Sequence, residues 1–520
     1  MLSAPWHLWR LFRTAATFER TGALAVIVET LDVPRSARAL IRGLGRLLGF
    51  FGRTGDPSLP PVARACAAMG PAYVKFGQIL STRPDIVGIE IVRQLRVLQD
   101  RLPPFTLAEA RRVLEEDLGA DVWDRIGDLG EPVAAASIAQ VHPATWLPTG
   151  QKVAVKVLRP NIRARFRQDI GAFYFIARGV ELVAPYTRRL RPIAVVQHFE
   201  SVVLAELDLR LEAASASQFR ANTDKDPRFR VPAVFWPGTG RRVMTLEWVE
   251  GLPLDRDLLV AAGIDPEELA ARILRSFLSQ ALGDGFFHGD MHQGNLRIAP
   301  DGAILALDFG IMGQLDPVTR RHFAEILYGF LRGDYRRVAE VHIEAGYVPA
   351  DRDVDDFALA LRSIAEPIFG QDVSQISMAR LLAYLLETTE RFGMETRTEL
   401  ILLQRTMVVV EGVARSIDPR CNIWDAAAPV VEAWMRDRLG PRQAARDARQ
   451  MLMVLSRLGP RLPGVAEELV MLAEEVRTKR LRGPLSVTVR ELPNPRILRP
   501  GLLGFVVGIL AAVAAASLID

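Results

Sequence analysis

The stretch HGDMHQGN, residues 288–295, followed by LDFG at 307–310, decides how this chain is read. Asp290 and Asn295 stand five positions apart, and Asp308 follows thirteen beyond Asn295. All three side chains offer oxygen, the ligand that a hard cation such as Mg²⁺ takes. Asp308 closes a short apolar run, AILALDFG (303–310), which is expected as a buried strand ending at a carboxylate. A carboxylate and an amide on one loop, with a second carboxylate at a strand end, can hold metal ions against a nucleotide. His288 and His292, four apart, invite a zinc reading, but Gly289 and the loop setting do not provide a ligand helix, so His288 is expected in a structural hydrogen bond.

Phosphoryl transfer needs the phosphates held, their charge neutralised and an acceptor oriented in line. In protein kinases an aspartate of the catalytic loop accepts the acceptor's proton, an asparagine five residues on ligates Mg²⁺, and the DFG aspartate binds the metal again. On that pattern Asp290 takes the catalytic place, and Asn295 and Asp308 take the metal places. Lys156 in VAVK alternates with Val153, Val155 and Val157 on a strand, so it shares a face with otherwise apolar residues and can reach phosphates from a cleft roof. A cleft lysine needs a carboxylate. The segment 195–219 is expected as one amphipathic helix offering Glu206, Asp208 and Glu212; Glu206 and Glu212, six apart, do not share a helical face, and Glu212 is taken as the partner.

Outward from the site, residues 132–160 read as two or three antiparallel strands with a turn at Pro148, Thr149 and Gly150, and RVMTLEWVEG (242–251) as a strand entering a linker. The rest reads as helical, and from Asp316 to about Leu481 no chemical motif stands out. The fold class is therefore α+β, a two-lobed protein-kinase-like fold. Its expected parts are a helical extension at 1–130, a small lobe at 131–250, a helical large lobe at 251–480, and a basic linker with a transmembrane helix at 481–520.

Composition agrees with an ordered chain of more than one unit: 520 residues, 49% hydrophobic and 24% charged, with a net charge of only +4. Cys66 and Cys421 are too few and too far apart for a disulfide framework, which fits a reducing compartment. The charge gathers at the ends, with eight arginines against three acids in residues 1–53 and seven Lys/Arg against Glu491 in 477–500. After the second comes GLLGFVVGILAAVAAASL (501–518), eighteen uncharged residues that as a helix would span about 27 Å, enough for one membrane crossing. The basic flank places the bulk of the protein in the cytoplasm. Gly504 and Gly508 would permit a homodimer through this helix. Residues 39–53 pair leucines with arginines as a membrane-surface helix does, or a packing face. No signal peptide is expected.

KFGQ at 75–78, AAAS at 134–137 and ELD at 206–208, with VAVK, HGDMHQGN and DFG, make residues from about 60 to 320 resemble the UbiB/ADCK atypical kinase-like family, implicated in ubiquinone biosynthesis. HGDxHxxN alone is shared with aminoglycoside and choline kinases. The resemblance implies that the KFGQ segment folds over the site and meets ELD, placing Lys75, Gln78, Glu206 and Asp208 by the phosphates. It also implies that an alanine-rich segment (Val133, Ala134, Ala135, Ala136, Ser137, Ile138, Ala139, Gln140, Val141) replaces the glycine-rich loop. Cβ atoms there leave fewer positive-φ options, so its amides should cradle phosphates differently. The expected cofactors are ATP (or ADP) and Mg²⁺. Expected partners are a membrane lipid or quinone precursor and other ubiquinone-biosynthesis enzymes, with no nucleic acid, at a bacterial-type inner membrane. A small-molecule kinase and a nucleotide-binding scaffold without turnover are the competing readings.

Overall fold

A computed structural model describes residues 4–30, 49–81, 87–98, 104–183, 192–369, 391–394 and 398–439. The expected membrane helix at 501–518, the basic stretch at 477–500 and most of the run at 39–53 lie outside them. Among the described residues no helix is long and apolar enough to cross a membrane. The described chain forms two compact units: the first takes residues up to Ala214 and Ala233–Trp248, the second Ser215–Pro232 and the residues from Val249 on.

The first unit opens with helices α1 (Ala4–Arg20), α2 (Ala23–Thr30), α3 (Pro61–Met69), α4 (Pro71–Leu80), α5 (Ile89–Leu95), α6 (Leu107–Leu118) and α7 (Ala120–Trp123). Strands β1 (Ile126–Gly127), β2 (Ala134–Ala135), β3 (Ala139–Trp146) and β4 (Gln151–Leu158) follow, then helices α8 (Ile162–Val183), α9 (Pro192–Glu206) and α10 (Leu209–Thr223), the last continuing from Ser215 into the second unit. Strand β5 (Phe229–Arg230) belongs to the second unit, and β6 (Val243–Glu247) returns to the first.

The sheet runs β1-β3-β4-β6 with β2 paired to β3, and every pairing is antiparallel. Alternation decides its faces. Val153, Val155 and Val157 are fully buried beneath α6 with Ala110, Val113 and Leu114, while Ala154 and Lys156 point to the other side. Helix α6 is fixed at its start by a capping box between Thr106 and Glu109, a device that contributes about 1 kcal/mol.

The helices pack around a second core in which Tyr73, Phe76, Phe173 and Phe199 interlock, Phe76 stacking on Phe173 at 4.7 Å. Each buried phenylalanine contributes roughly 1.5–3 kcal/mol. Gly77, inside the KFGQ stretch, lets α4 pack tightly on its neighbours. A Cβ there would stand 2.7 Å from Leu98 Cδ1 and 3.1 Å from Leu95 Cδ2.

The structure corrects one expectation in this unit: residues 195–219 are not one helix. The amide of Leu209 donates to the Arg241 carbonyl at 3.0 Å instead of to its own helix, and Asp208 N reaches Ala205 O in a tighter turn. The ladder breaks between Glu206 and Leu209, although the apolar pattern runs through. Glu206 is thus the last residue of α9, and Glu212 lies in the first turn of α10.

The second unit contains α11 (Arg256–Ala261), α12 (Pro266–Ser279), a π-helical turn at Gln280–Asp284, and strands β7 (Phe286–His288), β8 (Leu296–Ile298), β9 (Ile304–Ala306) and β10 (Met312–Gln314). Helices α13 (Pro317–Arg332), α14 (Tyr335–Glu344), α15 (Val354–Phe369), α16 (Thr398–Ile417) and α17 (Ile423–Leu439) complete it. Strand β9 lies between β8, antiparallel, and β5, parallel; β7 and β10 pair antiparallel. Sequence reading anticipates only β9 of this group. Three-residue strands are too short to show an alternating pattern. The π turn ends at Gly285, whose φ of 68° favours glycine and whose missing Cβ leaves room for the Leu315 carbonyl. Helix α13 starts cleanly: Asp316 accepts from the amides of Val318 and Thr319, and Pro317 occupies its first position.

Candidate functional site

In the first unit the alternating face of β4 turns Lys156 toward the start of α10. Its Nζ lies 2.6 Å from Glu212 Oε1, with the two side chains 15% and 9% exposed. Lys156 is in register with Val141 on one side and Met244 on the other, so the ammonium sits mid-sheet. Glu206 takes a different cation: Lys75 Nζ of the KFGQ helix stands 2.7 Å from its Oε1, the pair 14% and 8% exposed. Gln78 is half-buried, its Nε2 donating to the Leu98 carbonyl at 3.5 Å. Asp208 is gripped by Arg210, Nε to Oδ1 at 2.9 Å and Nη2 to Oδ2 at 2.7 Å, and by Arg241 at 3.2 Å. The Arg210 hydrogen bond foremost, with Arg241, holds its carboxyl down to about 2.

The alanine-rich stretch is a hairpin. Val133, largely exposed, donates to Val141 O; Ala134 and Ala135 pair with Val141 and Gln140; Ala136 N donates to Ala139 O at 2.8 Å. None of residues 133–141 has a positive φ. Ser137 is buried at the tip beside half-buried Ile138, and Ala139 is in the core. Gln140 is buried and turned away from the tip to clamp the chain before α6. Its Oε1 accepts from Phe105 N at 3.1 Å, and its Nε2 donates to Phe105 O at 3.2 Å. His142 Nδ1 donates to the Gly130 carbonyl, which leaves Nε2 to accept from Gln140 at 2.8 Å.

In the second unit the loop after β7 and the end of β9 are stitched together. Asn295 Nδ2 donates to the Asp290 carbonyl at 3.0 Å, which commits the amide nitrogen and leaves the oxygen as the end of the amide that a cation could take. The Leu307 amide donates to the Asn295 carbonyl at 2.9 Å, tying Asn295 to the residue before Asp308. Asp308 Oδ1 accepts from Gly310 N at 2.9 Å. His288 is fully buried among Phe219 and Phe309, and its Nδ1 accepts from Asp290 N at 3.1 Å. Burial lowers its pKa, against the pull of Asp308 and Asp290. His292 Nε2 is 3.7 Å from Asp290 Oδ2, beyond hydrogen-bond reach. Gly289 is required by closeness: a Cβ would meet Ile311 Cγ2 at 3.0 Å and its carbonyl at 3.1 Å. The same Gly289 accepts at its carbonyl from Thr406 of α16.

Among the described residues no group of three or more His, Cys, Asp or Glu is placed to hold a metal ion. One carboxylate and one amide oxygen suit Mg²⁺, which keeps waters and phosphate oxygens in most of its coordination places. Sequence reading missed Arg159. Its Nε and Nη2 both donate to the Ala136 carbonyl, at 3.1 and 2.8 Å, and it has no spacing rule to mark it.

The antiparallel sheet with its part-buried lysine–glutamate pair, and the helical unit with two joined oxygen-bearing loops, define a kinase-like protein. The ABC1 atypical kinase-like domain matches residues 97–342, and the UbiB helical domain matches residues 361–422. A curated relative from Marinobacter nauticus, Probable protein kinase UbiB, is 38% identical over 86% of this chain and 83% of its own length. Relatives of the same name from Azotobacter vinelandii and Pseudomonas aeruginosa are each 40% identical, over 77% and 74% of this chain and 76% and 73% of theirs. A solved Mycobacterium tuberculosis chain, from the complex structure of Rv3197 with erythromycin, aligns at a TM-score of 0.49 with 24% identity, over 68% of this chain and 90% of that one. The chain belongs to the UbiB family of ABC1-type atypical kinase-like proteins.

Proposed function

We propose that this chain is an Mg²⁺- and ATP-dependent atypical kinase or ATPase that supports ubiquinone biosynthesis at the cytoplasmic face of a bacterial-type inner membrane. The observation that carries the reading is the stitched pair of loops, in which Asp290 fixes the Asn295 amide and Asn295 is joined by its backbone to the residue before Asp308. When bound, the magnesium nucleotide supplies the transferable phosphoryl group and its charge neutralisation.

The rest falls to side chains of this chain. Asn295 and Asp308 present oxygens of the type Mg²⁺ takes. Lys156, oriented by Glu212, offers a fixed ammonium to phosphate oxygens, and Asp290 is the carboxylate that would take the acceptor's proton. The half-buried Lys75–Glu206 pair supports a KFGQ helix seated on the ELD turn. The basic ends and the apolar run 501–518 support membrane anchoring, and the family resemblance supports a lipid or quinone precursor and other biosynthetic enzymes as partners.

The test uses the full chain. Mg²⁺-dependent ATP turnover stimulated by lipid or a phenol, abolished by Asp308→Asn, is the expected result. Quinone profiling of a deletion strain should show rescue by the wild type and none by Asp308→Asn. Rescue by that variant would refute the metal assignment, and stoichiometric phosphorylation of a soluble amino sugar or alcohol would favour a small-molecule kinase.

A further inference from the structure

Arg159 closes the alanine-rich hairpin from one side. Its guanidinium takes the Ala136 carbonyl through two donors, at 3.1 and 2.8 Å, and its own amide donates to the Ile138 carbonyl at 2.8 Å. The guanidinium carbon also lies 5.8 Å from the centre of the Phe105 ring, and Phe105 is held at both backbone atoms by Gln140. Both carbonyls that flank Ser137 are therefore drawn toward Arg159. Peptide bonds here are planar and trans, so the N–H of Ser137 points opposite to the Ala136 carbonyl, away from Arg159.

The electrostatic result is a sorted tip. The Ala136 and Ile138 carbonyl oxygens, which repel phosphate, lie on the cationic side, and the Ser137 amide is left on the other. A glycine-rich loop reaches such an arrangement through positive φ, which this hairpin does not use.

Building on the nucleotide reading above, we infer that Arg159 is a positioning residue for that site: it turns the Ser137 amide away from its own guanidinium, as the hairpin's donor to a nucleotide phosphate. The full chain carrying Arg159→Gln or Arg159→Lys would be compared with wild type in two measurements. One is amide hydrogen exchange across 133–141; the other is calorimetric titration with Mg²⁺·ADP.

Arg159→Gln should speed exchange in the hairpin and weaken Mg²⁺·ADP roughly tenfold, the scale of a lost charge-assisted hydrogen bond. Arg159→Lys keeps the charge without the fork and should fall between the two. Unchanged hairpin exchange in both variants would overturn the clamp. Faster exchange with wild-type affinity would overturn its link to phosphate. Lys156→Met is the yardstick: Mg²⁺·ADP binding that is absent in wild type, or indifferent to Lys156→Met, sinks the nucleotide reading and this inference with it. The exchange measurement would still report separately whether Arg159 holds the hairpin.

Discussion

Lys156 and Glu212 are 56 residues apart in the chain and meet at 2.6 Å, both mostly shielded from water. Removing one member of such a pair strands the other without compensation, which costs more than the pair itself is worth. Glu212→Gln should lower stability by about 1–3 kcal/mol in urea unfolding. Adding Lys156→Met should restore part of that loss. Full additivity in this double-mutant cycle would show that the two charges do not depend on each other.

Gly285 should not tolerate a side chain. Its φ of 68° lies in the left-handed region, and a Cβ would meet the Leu315 carbonyl at 2.7 Å. Gly285→Ala should cost more than about 1 kcal/mol from the backbone conformation alone, with the collision added. The measurement is the shift in thermal midpoint, and a stabilised variant would contradict it.

His342 makes stability depend on pH. Its ring is buried between Tyr347 and Phe357, Nδ1 donates to the Val338 carbonyl, and burial pushes its pKa down to about 4 from 6.5. The unfolded chain then binds a proton in the window where the folded one does not, so stability falls as pH drops from 6.5 toward 4. Asp169 works the other way: burial raises it to about 6 despite Arg10 at 2.9 Å. Urea midpoints taken from pH 7 to 4.5 in wild type and His342→Phe should differ in slope, with the variant less sensitive to acid.

Asn295 is the joint of the two loops. Asn295→Ala removes its donation to Asp290 and the oxygen proposed for Mg²⁺ together. Turnover should fall at least roughly tenfold and the Mg²⁺ concentration for half-maximal rate should rise, as with other losses at a metal site. A lowered rate at an unchanged Mg²⁺ requirement would remove Asn295 from the cation's ligands.

Local geometry that lives in fixed short spacings is legible from the chain alone. The step from Asp290 to Asn295, the strand before Asp308 and the alternation that turns Lys156 from Val155 are local patterns, and local patterns survive in sequence. What escapes is set by tertiary contacts. The break between Glu206 and Leu209 depends on a carbonyl of Arg241, and the contacts of Arg159 and Gln140 depend on Phe105, more than thirty positions away. Strands of three residues, such as β7 and β10, pair because the fold presents them to each other; neither is long enough to announce itself.

The interrupted helix gives the first unit a shared hinge pin. Glu206 and Glu212 hang from one seven-residue strap, one anchoring the lysine of the KFGQ helix and the other the lysine of the sheet. The lysine of an N-terminal helix and the lysine of the sheet are thus both held from one short stretch of backbone.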